Sequence, residues 1–69
     1  MKTTGDMKLA RMYWGPGPLP QGAELLGTVT RPNLEAGALL RMPTGRLAQG
    51  NAGSLRTLPP DVTPPKGDA

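Results

Sequence analysis

The sequence predicts a mostly β protein: a small antiparallel sheet, or a half-open barrel of the SH3-like or OB-like kind, with about three to five short strands. Three observations lead to this fold class. Apolar residues alternate over strand-length segments, Gly, Pro and Asn separate those segments, and 69 residues hold at most one small domain. We assign residues 1–7 to a frayed end, 8–58 to the β domain and 59–69 to a flexible Pro-rich tail.

The first two strands are predicted on either side of a Pro-rich connector. Residues 8–14 alternate, with Leu9, Arg11 and Tyr13 facing away from Ala10, Met12 and Trp14. Residues 15–22, GPGPLPQG, have proline at every second position in their centre and predict a connector without helix or central strand. Residues 24–30, ELLGTVT, alternate again and predict the second strand.

Residues 33–42 fit two structures. Asn33 could cap a short helix in which Leu34, Ala38 and Met42 lie four residues apart. Gly37 disfavours that helix, and Pro43 ends it. The alternative is a third strand, so the pattern leaves strand and helix open here.

The stretch from residue 37 to residue 59 predicts hairpins with two alternative registers. A two-residue loop at Thr44 and Gly45, with a three-residue loop at 51–53, places the arginines on one face. Alternatively Pro43 takes the second position of a type I turn with Gly45 in a bulge, which shifts the register and separates Arg41 from Arg46. We favour the first register, although Pro43 cannot donate a ladder hydrogen bond. The residues it places on the opposite face are Leu40, Met42, Leu47, Gln49, Leu55 and Thr57.

The charge of the chain is concentrated in the same stretch. The formal net charge is +3, and residues 37–59 contain Arg41, Arg46 and Arg56 but no carboxylate. These arginines predict a cationic face for an acidic protein surface or for phosphates. The competing interpretation is a solvated face whose aliphatic stems cover core leucines. Trp14 and Tyr13 are candidate contact anchors, although the only Trp of a small domain is more often part of its core.

The residue inventory disfavours catalysis. The chain has no Cys or His, so it lacks a thiol nucleophile, an imidazole base and the usual ligands of structural zinc. We therefore predict no enzyme activity, no cofactor and no metal site. No apolar stretch approaches the ~20 residues of a membrane span, and no leader pattern is visible, so we expect a cytoplasmic protein without membrane contact.

The function predicted from these features is stoichiometric binding to another protein. A thin core would gain stability from a partner or from homo-oligomer formation, and Pro-rich arms can wrap a surface. A small phage or mobile-element accessory protein that inhibits or redirects a host macromolecular machine would have these properties. Two alternatives stay open: a basic β module that binds DNA or RNA through phosphates, and a minor structural or decoration subunit of a larger assembly.

Overall fold

The computed structural model describes residues 2–64, and over this range the chain forms a five-stranded antiparallel sheet with one short helix. The strands follow one another in chain order, so each pairs with its neighbours in sequence. The predicted fold class, a mostly β protein with a small antiparallel sheet, is confirmed. The elements are β1 Lys2–Thr4, α1 Met7–Trp14, β2 Glu24–Thr30, β3 Gly37–Arg41, β4 Leu47–Asn51 and β5 Ser54–Thr57.

Residues 2–4 belong to the sheet. Lys2–Thr4, which the sequence analysis assigns to a frayed end, form β1 and pair antiparallel with β2. Thr4 Oγ1 and Thr28 Oγ1 lie 2.6 Å apart, a hydrogen bond between the two strands. Three residues are too few for a periodic pattern, so β1 owes its conformation to β2 and not to its own sequence.

Residues 8–14 are helical, so the predicted first strand is wrong. The side chain of Asp6 caps the helix, with Oδ1 accepting a hydrogen bond from the Leu9 N–H at 2.9 Å. Gly15 ends it with a φ of 104° and donates its N–H to the last turn at 3.0 Å. The buried residues Ala10 and Trp14 lie one helical turn apart. A segment this short fits both the period of a strand and the period of a helix, and the cap at Asp6 selects the helix.

A bulge in β2 brings that strand close to the end of β1. The register between β2 and β3 shifts between Leu25 and Gly27, which leaves Leu26 as the extra residue. Gly27 has a φ of 149°, and a Cβ at this position would overlap the carbonyl oxygen of Thr4. Only glycine permits this approach of two backbones.

Residues 33–42 do not form the short helix. Gly37–Arg41 are strand β3, paired with β2 on one side and β4 on the other. Asn33 has a φ of 61° and lies in the preceding turn, where the Leu34 N–H donates to Arg31 O at 3.1 Å. Gly37 disfavours a helix here and Pro43 would end it, so this segment forms a strand.

The turn between β3 and β4 follows the alternative register, so the favoured one is wrong. Arg41 pairs with Leu47, and Met42 N–H donates to Arg46 O at 2.7 Å. The loop is residues 43–45, with Gly45 at a φ of 92° donating to Met42 O at 2.8 Å. Pro43 lies inside the loop, where its missing N–H leaves no ladder position empty.

The turn between β4 and β5 is shorter than predicted. Asn51 pairs with Ser54, which leaves a two-residue loop of Ala52 and Gly53. Their φ values of 50° and 85° are those of a type I′ turn, whose twist matches that of the flanking strands. The change in the first turn places Leu47 and Gln49 on the sheet face opposite Leu40, contrary to the prediction. The change in the second turn leaves Leu55 and Thr57 on the face of Leu40, as predicted.

The helix covers one face of the sheet, which we call the helix face. Ala10 and Trp14 pack there against Ala38 and Leu40. The connector at residues 15–22 has neither helix nor strand, as predicted. Its Leu19 packs against the same cluster, so the connector closes one side of this core.

The opposite face, which we call the C-terminal face, is covered by residues 58–64. Leu58 is buried with Val29 and Leu39, and Val62 packs against them. Leu58 N–H donates to the β4 carbonyl of Leu47 at 3.0 Å, and Thr63 O accepts from Thr3 Oγ1 on β1 at 3.1 Å. The part of the predicted tail that the structure describes, to residue 64, thus crosses the sheet. Residues 65–69 lie outside the described residues.

Candidate functional site

The C-terminal face carries a cleft of about 400 Å³ between the turn after β3 and residues 59–64. We call it the arginine-framed cleft. It is formed because residues 58–64 run across the sheet at the end where β3 and β4 are joined. Its lining residues are Arg41, Thr44, Gly45, Arg46, Leu47, Pro59, Pro60, Val62 and Pro64. No carboxylate is among the described residues that line it.

Arg46 is held at the border of the cleft by the turn and by one hydrogen bond. It follows Gly45, and its Nη2 donates to Leu58 O at 3.4 Å. The remaining guanidinium donors are available because the residue as a whole is exposed. A guanidinium that is already held through one nitrogen loses less conformational entropy when it binds a carboxylate.

Arg41 borders the cleft from the end of β3. The β2–β3 register places it opposite Glu24, and Arg41 Nη1 lies 3.7 Å from Glu24 Oε1. The two side chains are 46% and 64% exposed, so this ion pair contributes little to stability. A carboxylate from another molecule could therefore replace Glu24 at small cost.

Arg56 belongs to a different cavity. Cross-strand pairing with Gln49 puts it on the C-terminal face with Arg41, as the sequence analysis predicts. It lines a separate cavity of about 300 Å³, together with Asn33, Leu34, Glu35, Gln49, Asn51, Ser54 and Leu55. Arg41 and Arg46 line one cleft although the observed register separates their positions on the sheet, because the Arg46 side chain reaches Leu58 O. Arg56 lies apart from them.

The two aromatic residues lie on the helix face, away from all three arginines. Trp14 is 5% exposed, and its Nε1 donates to Pro18 O at 3.2 Å. Tyr13 is half-buried, packs against the same cluster and accepts a hydrogen bond at its backbone oxygen from Ala52 N at 3.0 Å. Trp14 therefore offers a partner almost no surface and belongs to the core.

Sequence reasoning missed the cleft floor. Proline and valine between residues 59 and 64 read as tail composition, and their contact with the sheet depends on Leu58 and Val62 together. The sequence feature that indicated this contact is Val62, the lone large apolar residue after Leu58. A second exposed groove was missed as well, where Met12, 71% exposed, lies between basic residues of α1 and the connector.

The remaining inventory of the described residues is short. Residues 2–64 contain no group of three or more acidic side chains that could hold a metal ion. Within the same range, no helix has the length and apolar character needed to cross a membrane. A scan of protein-family models, a search of curated proteins and a search of solved structures each found no match to this chain.

Proposed function

We propose that the protein is a small non-catalytic binding protein that acts by stoichiometric contact with another protein. The arginine-framed cleft receives a segment of that partner in which an apolar residue is flanked by carboxylates. The observation that carries this proposal is the pair of exposed guanidinium groups, Arg41 and Arg46, beside an apolar floor that contains Leu47 and Val62.

Charge complementarity supports an acidic occupant. Two cations and no described carboxylate line the cleft, and Arg41 already engages a carboxylate in the Glu24 ion pair. Charged side chains at such a rim mainly raise the association rate and select the partner, while apolar contacts on the floor add affinity. The partner segment should therefore combine both properties.

The floor favours protein over nucleic acid as the occupant. Nucleic-acid surfaces of small β modules stack bases on aromatic side chains. The chain has one Trp and one Tyr, and both lie on the helix face, across the sheet from the cleft. Binding to DNA or RNA through phosphates alone is the alternative that the experiment must separate. The prediction that the partner belongs to a host macromolecular machine rests on size and composition.

Two labelled probes test the proposal by fluorescence anisotropy. One is a blocked acidic-apolar peptide, Asp-Glu-Leu-Asp-Glu, and the other is oligo(dT). We expect the peptide to bind and Arg41→Gln with Arg46→Gln to abolish binding. Lys2→Gln with Lys8→Gln removes an equal charge from two exposed residues outside the cleft and should retain binding. The peptide with Asn and Gln in place of its acids should not bind.

Either of two results would overturn the proposal. One is binding of oligo(dT) but not of the peptide, with affinity that collapses by ~0.5 M salt, where exposed charge contacts are screened. The other is peptide binding that the double variant leaves unchanged. The same variants in a nuclease-treated pull-down then show whether a captured protein depends on this cleft.

A further inference from the structure

β5 is the last strand of the sheet, and its outer side is unpaired within residues 2–64. All of its residues, Ser54–Thr57, are exposed. Natural sheets usually protect such an edge with a very short strand, a charged side chain, proline, a bulge or a covering segment. β5 has the first two of these, four residues and Arg56, and a positive charge repels only a partner of the same sign. β5 contains no proline, and its pairing with β4 has no register shift. The edge is therefore open to another extended chain.

The hydrogen-bond pattern identifies the free backbone groups. Leu58 N–H donates to Leu47 O, and bonded residues alternate along an antiparallel strand. Ser54 and Arg56 therefore direct their N–H and C=O groups towards β4. Leu55 and Thr57 direct theirs outward, which gives the edge two donors and two acceptors.

The edge is held rigidly. The two-residue turn fixes the start of β5, and Ala52 N–H donates to Tyr13 O at 3.0 Å, which ties the tip of this hairpin to the end of α1. At the other end, Leu58 is buried in the core of the C-terminal face. A strand fixed at both ends loses little conformational entropy when another strand pairs with it.

The surroundings of the edge favour one apolar and one charged contact. Leu34 and Leu55, 43% and 42% exposed, both line the cavity beside β5. Its polar side contains Gln49, 6% exposed, whose Nε2 donates to Glu35 O at 2.8 Å. Arg56 is the only charged residue of β5, and it lines the same cavity.

Pairing with a second copy is disfavoured by charge. A two-fold arrangement that uses both outward residues pairs Leu55 with Thr57 and places the two Arg56 side chains directly opposite each other. Like charges in that position are destabilising. A strand with a carboxylate opposite Arg56 removes the conflict and gains a cross-strand ion pair. We propose that the β5 edge binds an extended segment of another protein, with an acidic residue opposite Arg56 and apolar β-branched residues on both sides of it.

This surface lies apart from the arginine-framed cleft and does not depend on it. The test is amide hydrogen exchange on the full chain extended after residue 69 by a Gly/Ser linker and the sequence Thr-Val-Glu-Val-Thr. Linking gives the segment an effective concentration on the order of millimolar. We expect exchange at Leu55 and Thr57 to slow by at least about tenfold, because pairing removes these amides from solvent. Ser54 and Arg56, already bonded to β4, should change little.

Charge reversal supplies the control. Arg56→Glu should remove the protection with the linked glutamate segment and restore it when lysine replaces that glutamate. Arg41→Gln with Arg46→Gln should leave the protection unchanged, so failure here is distinct from failure of the cleft. Unchanged exchange at Leu55 and Thr57 would overturn the proposal. Protection of these two amides in the unextended chain would also overturn it. In that case a dimer in sedimentation would identify a second copy as the occupant, and a monomer would identify another part of the same chain.

Discussion

The indole ring of Trp14 lies directly on the backbone of Gly50. A Cβ at Gly50 would come within 2.6 Å of Trp14 Cε3 and 2.7 Å of Cζ3, closer than atoms of a folded core approach. Gly50 is the fourth of the five residues of β4 and lies on the helix face with Leu40 and Ala48. Because Gly50 has no side chain, the helix can pack its largest residue, Trp14, against the sheet.

Gly50→Ala should lower the free energy of unfolding by about 1–3 kcal/mol, the usual cost of overpacking a core. The ring of Trp14 cannot move far, because its Nε1 is bonded to Pro18 O. Urea denaturation followed by tryptophan fluorescence measures the change. Gly17→Ala is the matched control, since a Cβ there meets nothing within 4 Å. Equal stability of the two variants would contradict the packing of Trp14 on Gly50.

The sheet was predictable from the sequence where turn chemistry and alternation agree. Glu24–Thr30 form a strand over the predicted range, and the connector at residues 15–22 is irregular as expected. The strand registers were harder to predict, because a shift of one residue moves every side chain to the other face of the sheet. Pro43 lies in the loop between β3 and β4 because it has no N–H to donate to the ladder. This local constraint outweighed the segregation of leucines from arginines.

The helix and the cleft required long-range information. Ala10, Met12 and Trp14 fit an alternating strand, and only the cap at Asp6 and the position of Gly15 mark a helix. The cleft depends on residues 58–64 returning across the sheet, which no local period encodes. The arginines were predictable as candidates, but their division between two cavities follows from the register of β3, β4 and β5.

Ala52→Asn should stabilise the protein by about 0.5–1 kcal/mol. Ala52 has a φ of 50°, a left-handed conformation that costs most L-residues about 1 kcal/mol and that Asn adopts readily. The substitution keeps the backbone N–H that bonds to Tyr13 O. Ala52→Val, β-branched at the same position, should destabilise. The opposite order of the two variants in urea denaturation would show that the turn is not type I′.

Asp6→Ala should cost about 0.5–2 kcal/mol of stability, the range measured for loss of a helix N-cap. The Asp6 carboxylate accepts the Leu9 N–H at 2.9 Å, and Ala leaves that donor without its side-chain partner. Asp6→Asn retains an acceptor oxygen and should remain close to the parent protein. Thermal unfolding monitored by circular dichroism compares the three proteins, and an equal loss in both variants would assign the effect to charge.

Leu58→Ala should destabilise by about 2–5 kcal/mol, because it removes a buried side chain and leaves a cavity. Leu58 is 1% exposed and joins residues 59–64 to the core of the C-terminal face. Leu55→Ala makes the same chemical change at a side chain that is 42% exposed, and should cost well under half as much. If both cost the same in urea, residues 58–64 do not cover the sheet in solution.

Glu24→Gln should strengthen binding of the acidic-apolar peptide to the arginine-framed cleft. Glu24 Oε1 lies 3.7 Å from Arg41 Nη1, so the native carboxylate competes with that of the peptide for the same guanidinium. The free energy of unfolding should change by less than about 1 kcal/mol, since both side chains are largely exposed. We expect a severalfold lower Kd by anisotropy at low salt and a smaller difference at ~0.5 M salt. Glu35→Gln removes an equal charge from the other cavity, and an equal gain with that variant would indicate a general charge effect instead of competition at Arg41.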